Sequence, residues 1–143
     1  MTVQMVLLPV FVQVALTFAL FFGMAGNRMR AMNSGQAKPN DIIAGTVKWP
    51  SRAAQFGDCF RNQFEIPVLF YALIAIGLPL RRIDLVLVML SWVFVIARLA
   101  HAGIFVTSNG LQQRAMAWFA SVLVLMAMWI YFAFKMLLAT VAI

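Results

Sequence analysis

Charge is scarce in this chain. Only 10% of its 143 residues are Asp, Glu, Lys or Arg, and just four of those are acidic. A soluble domain carries about 25% charged and about 45–50% apolar residues, whereas 64% of this chain is hydrophobic. A globule of this length has too much surface for its volume to hide such an excess. A water-soluble domain is therefore excluded, and so is disorder. Cysteine and histidine are scarcer still, one of each, Cys59 and His101. A lone cysteine excludes an internal disulfide and any cysteine-built zinc or iron–sulfur centre, and a single histidine leaves too few ligands for a zinc site. There is no glycine-rich phosphate loop and no Ser-His-Asp pattern. The basic residues that are present (11 Lys and Arg, net charge +7) sit mostly in or beside the gaps between apolar runs. That placement fits topology signals and anionic ligands or lipid headgroups, and argues against a nucleic-acid partner.

Long apolar runs are what the chain does have. Spanning a hydrocarbon core of about 30 Å takes roughly 20 apolar helical residues, and four stretches qualify. They run from about Val3 to Ala25, Cys59 to Leu80, Leu85 to Phe105 and Met116 to Leu138. The chain thus reads as one all-α integral membrane domain over residues 1–143, a bundle of four transmembrane helices at about 3–26, 51–79, 83–107 and 113–140. Pro50-Ser51 reads as the start of the second helix, with Ser51 as its cap. Running on to Gly77, that helix is about 40 Å long and projects beyond the bilayer. The first segment is a span and not a cleaved leader, because its charges follow the apolar run and the run is too long. Asn27 to Trp49 holds Arg28, Arg30, Lys38 and Lys48, with Arg52 just beyond, and Arg114 follows the Asn109-Gly110 turn. The remaining connection carries Arg81 and Arg82. Positive-inside bias then puts the first and third loops in the cytoplasm and both termini outside.

Three ionisable groups fall at bilayer depth, where a charge costs about 2.5–3.5 kcal/mol and is a functional hypothesis by default. They are Glu65, Arg98 and His101. Asp58, Asn62 and Glu65 are spaced to share one stripe of the second helix, with Arg61 placed to pair with Glu65 along it. Ser91, Arg98, His101, Phe105 and Ser108 form a second stripe on the third helix. Lipid solvates neither stripe, so the two should face each other or a shared cavity. Two readings stand. Glu65 and Arg98 form a buried ion pair, with Asn62 and His101 as interhelical glue. Alternatively Arg52, Arg61, Arg98 and Arg114 converge with few acids to balance them and hold an anionic ligand. A proton or ion path through Glu65, Arg98 and His101 is a further alternative. Pro67 is expected to kink the second helix, Cys59 to be an inert thiol on the membrane face, and several tryptophans to anchor at the interface.

The run Arg61-Asn62-Gln63-Phe64-Glu65-Ile66-Pro67-Val68-Leu69-Phe70 resembles the second-helix motif of the MAPEG family, membrane-associated proteins in eicosanoid and glutathione metabolism. So does Ala97-Arg98-Leu99-Ala100-His101 with Asn109 and Arg114 downstream, and the overall pattern looks most like bacterial members. The resemblance implies a homotrimer of four-helix subunits in the bacterial inner membrane. It implies glutathione as cofactor, bound between subunits near the cytoplasmic side, and a lipophilic small molecule as second substrate. Asn62 and Glu65 match the glutathione-contacting pair, with Glu65 meeting the ammonium. Arg98 matches a third-helix arginine near the site, and Arg30 is a looser match to a basic residue past the first helix. The family's arginine four residues before the Asn is replaced here by Asp58, with Arg61 or Arg52 as the candidate substitutes. His101 and Phe105 stand where several glutathione-using members have tyrosines. Arg114 looks like the catalytic arginine held near the glutathione sulfur, where a cation raises thiolate population. The implied function is a glutathione-dependent transferase or peroxidase acting on a lipophilic electrophile. Its alternative is a non-catalytic lipid-binding or scaffold protein of the same fold.

Overall fold

In hydrocarbon every backbone N–H and C=O must be satisfied within its own segment, and a single chain of isolated apolar runs meets that demand only as helices. The computed structural model describes residues 2–138 and contains no strand among them. The helices are α1 (Val3–Asn33), α2 (Pro39–Ile43), α3 (Ser51–Arg61), α4 (Ile66–Gly77), α5 (Leu85–Val106) and α6 (Leu111–Leu137). A 3₁₀ turn, Asn62–Phe64, joins α3 to α4. Four units are long and apolar enough to cross a membrane: α1, the combined Ser51–Gly77 segment, α5 and α6. The expected extension of the fourth helix to residue 140 lies partly outside the described residues.

Two expectations about the helices are corrected. The first helix does not end near residue 26 but continues to Asn33, so Arg28 and Arg30 ride on its last turns and not in a loop. Arg, Met and Ala between residues 28 and 32 are good helix formers, and the Arg28 guanidinium lies 4.7 Å from the Trp49 ring centre. The stop comes at Gly35, whose φ of +72° suits glycine. There Gln36 N–H donates to Ala31 O and Gly35 N–H to Met32 O, satisfying the last carbonyls. The second membrane segment is not one continuous helix. Pro67 has no N–H for the Gln63 carbonyl and its ring crowds that turn, and Glu65 leaves helical geometry with φ −97° and ψ −107°. Ser51 is the first helical residue after Pro50 and makes no side-chain cap.

Packing is arranged around α5. It lies along α6 over most of its length, while α1 packs on α3 and α5, and α4 on α6. Phe70, Leu73, Leu87, Phe94, Val95 and Met128 are completely buried, and the Phe70 and Phe94 rings meet at 4.9 Å. Gly23 lets α1 approach α3, because a Cβ there would collide with the Phe56 ring. Cys59 is not on the membrane face: it is fully buried beside Leu20 and Ala102. Large apolar side chains such as Phe11, Phe22, Ile96, Phe119 and Phe134 are instead exposed along the spans, the outside of a bundle bathed in acyl chains.

Candidate functional site

The site grows from the break between α3 and α4. Because the chain leaves the helix at Asn62, its carbonyl and side chain turn towards α5 and meet Arg98. Arg98 is wholly buried, and one terminal nitrogen (Nη2) donates to Asn62 Oδ1 at 2.6 Å and to Asn62 O at 3.3 Å. Its Nε and Nη1 have no partner. The Asn62 amide nitrogen in turn donates to Glu65 Oε2 at 2.8 Å. Guanidinium, amide and carboxylate thus form a relay, and no direct Glu65–Arg98 ion pair exists. An amide between a pure donor and a pure acceptor has only one workable orientation, so Asn62 is fixed at both ends.

One turn further along α5, His101 is 3% exposed and shares the face of Arg98. Its Nδ1 lies 3.0 Å from the Arg114 carbonyl oxygen, while Nε2 is buried without a partner. The Arg114 side chain stretches over the Phe105 ring, 4.3 Å from its centre, and donates to Asn109 Oδ1. Asn109 takes the turn with φ +51°, as the Asn-Gly signal implied. Asn62, His101, Phe105, Leu111, Arg114 and Trp118 together wall an open groove of about 250 Å³ at this end of the bundle.

Other expected members do not join. Arg61 cannot pair with Glu65 along a helix that ends between them; it turns outward to Asp58 at 3.8 Å, a highly exposed contact that contributes little. Asp58 therefore leaves the stripe it was expected to share with Asn62 and Glu65. Arg52 does not converge either, because its side chain donates to Val106 O at the C-terminus of α5, where Gln55 likewise donates to Phe105 O. Both satisfy carbonyls that α5 leaves open. Arg30 lines a separate groove of about 240 Å³ with Asn27, Ser34, Gln36 and Arg52. A larger cavity, about 380 Å³, is elsewhere again, an apolar cleft between α1 and α3–α4 lined by Phe18, Phe21, Phe60, Phe64 and Tyr71. It has the character of an acyl-chain slot, whereas His101 and Arg114 line the smaller groove.

At the opposite end Asp84 accepts from Leu87 N–H at 3.1 Å, from Tyr131 O–H at 2.6 Å and from Lys135 Nζ at 2.7 Å. Partial burial pushes its carboxyl up, but the bonds from Lys135, Tyr131 and the Leu87 amide outweigh it and hold it below the usual carboxylate value. This cluster ties the start of α5 to the end of α6.

Sequence reasoning missed Gln13 and Gln63. Both are buried at bilayer depth, with Gln13 Nε2 donating to Gln63 Oε1 at 2.9 Å and Gln13 Oε1 left without a partner. The signal was an uncharged amide inside each apolar run, which a search for charges passes over.

No curated protein and no solved structure matches the chain significantly. A family model described as the MAPEG family matches residues 6–134, nearly the whole length. The four apolar spans make this an integral membrane protein, and the chain belongs to the MAPEG family, which includes glutathione transferases and peroxidases as well as non-catalytic members.

Proposed function

We propose that the protein is a glutathione-dependent transferase or peroxidase acting on a lipophilic electrophile. The reading is carried by Arg98, a fully buried guanidinium with two unpartnered nitrogens and no acidic neighbour in contact. A structural arginine in hydrocarbon is paired; one left short of acceptors, behind the wall of an open groove, is suited to an incoming anion. The residues fit the tripeptide. Glutathione carries two carboxylates and one ammonium, and this end of the bundle offers Arg98, Arg114 and the exposed Glu65 carboxylate. Bound glutathione supplies a nucleophilic sulfur. Arg98 and Asn62 hold the peptide, Glu65 receives its ammonium, and Arg114 lends positive charge beside the sulfur, favouring the thiolate.

The second substrate enters from the bilayer, for which the apolar cleft between α1 and α3–α4 is the natural approach. A homotrimer, with Arg30 reaching the site from the neighbouring subunit, explains why Arg30 lies outside the groove of its own chain. The third loop, which borders the groove, and the first loop face the cytoplasm by their basic residues, in what we take to be a bacterial inner membrane. One observation favours the non-catalytic alternative: Arg114 is already engaged by Asn109 and Phe105 within the chain. Isothermal titration of the detergent-solubilised protein with glutathione decides. Saturable binding is expected, and no heat at millimolar peptide would end the glutathione reading.

A further inference from the structure

The lone histidine has an asymmetry that neither substrate binding nor helix packing explains. A carbonyl oxygen can only accept, so the 3.0 Å contact between His101 Nδ1 and Arg114 O places the ring hydrogen of a neutral imidazole on Nδ1. Nε2 is then a lone-pair acceptor. It is buried, has no partner, and belongs to a side chain that walls the groove. The edge-on contact with Phe105 at 5.7 Å and the Arg114 carbonyl fix the ring, so rotating it to find another donor is blocked. The charged and titratable groups around it are Arg98 on the same helix, Arg114 on α6, Cys59 on α3 and, beyond Asn62, Glu65.

We infer that His101 Nε2 is the atom that accepts the proton of the bound ligand's acidic X–H group, which on the proposed function is the thiol of glutathione. The S–H bond breaks, its electron pair stays on sulfur, and the proton forms the Nε2–H bond of an imidazolium. The imidazolium and the negative sulfur form in the same step as an ion pair, and Arg114 stands ready to stabilise the sulfur. When sulfur then bonds to an electrophilic carbon, the departing group leaves with its electron pair and takes the proton back from Nε2. The histidine is thus restored each turnover, as a general base and then acid. This role rests on the glutathione reading and gives the sulfur a proton acceptor that Arg114, a permanent cation, cannot be.

The test uses the fact that the chain has one histidine. Protein labelled with ¹⁵N-histidine, free of tag histidines and held in detergent micelles, gives imidazole signals from His101 alone. Glutathione and S-methylglutathione are titrated in separately, each followed by calorimetry and by the Nε2 resonance. We expect both to bind, with glutathione alone moving Nε2 from the unprotonated to the protonated range. If glutathione binds while Nε2 stays as it is with S-methylglutathione, His101 is not the acceptor although the proposed function stands. If neither peptide binds, the glutathione reading falls and this inference with it.

Discussion

Replacing Arg98 by Met separates a ligand-binding arginine from a structural one, because the two roles predict opposite signs for stability. Moving a guanidinium to the middle of a span costs about 2.5–3.5 kcal/mol, and Arg98 is completely buried with two nitrogens unsatisfied. Against this stands the Nη2 bond to Asn62 Oδ1 at 2.6 Å. A charged hydrogen bond contributes about 1.5–3 kcal/mol, and the low end applies because Asn62 is half-buried on the groove wall, where water can replace the donor. Methionine keeps most of the aliphatic stem, so packing changes little. The balance is a gain of about 1–2 kcal/mol for the ligand-free protein. At about 2–4 °C per kcal/mol for a chain near this size, the apparent Tm in detergent should rise by about 2–8 °C, while glutathione binding measured by calorimetry is lost. A fall in Tm would show that Arg98 is a strut whose partners matter more than its burial, and the argument for an anion at that position would fail.

Four further outcomes follow from the geometry. His101→Gln should lower kcat/KM towards a model electrophile by about 100-fold, the low end for losing a general base, with glutathione Kd changed by less than about 3-fold; an unaltered rate would exclude proton transfer through the ring. Arg114→Ala should cost about 100- to 1000-fold in kcat, as for loss of one charge-stabilising group, read in the same assay at saturating glutathione. For Asp84 the folded carboxyl lies below its ordinary value, so its contribution is fully present above the unfolded carboxylate pKa and is lost as pH falls through the folded one; the Tm gap between wild type and Asp84→Ala should therefore be widest near neutral pH and close below about pH 4, where the unfolded carboxylate takes up its proton. Gly23→Ala forces a methyl against Phe56 and should cost about 1–3 kcal/mol by overpacking; Phe56→Leu should recover part of that in a double-mutant cycle.

The fold was legible because the membrane imposes a length and an apolarity that the sequence displays directly. Four runs and their turns place the spans, and Asn109 adopts the positive φ that its Asn-Gly pair announced. What the apolar pattern could not reveal is helix outside the bilayer. Residues 27 to 33 are polar, yet α1 continues through them because Arg, Met and Ala favour helix regardless of the solvent around them. The break at Asn62–Glu65 was half legible. Pro67 announced a disturbance, but a proline inside a span can merely bend a helix, and only neighbouring structure decides whether the turn before it opens.

That half-read break governs how much of the site the sequence could give. Helical spacing places Arg98 and His101 on one face of α5, and both are buried there, because α5 is an unbroken helix. The same arithmetic applied to the second span puts Asp58, Asn62 and Glu65 in line and Arg61 beside Glu65, and it fails because the helix on which it relies ends at Arg61. Past that point the chain advances on 3₁₀ geometry, with side chains three apart eclipsed, so Asn62 and Glu65 come within 2.8 Å while Asp58 and Arg61 are left outside. The departure from regular helix is thus what lets one asparagine touch both an arginine on α5 and a carboxylate on its own strand of chain. A variant that restores the helix, Pro67→Ala, should draw Glu65 back towards Arg61, break the relay to Arg98, and weaken glutathione binding without lowering Tm; retained affinity in that variant would show that the broken turn is incidental to the ligand.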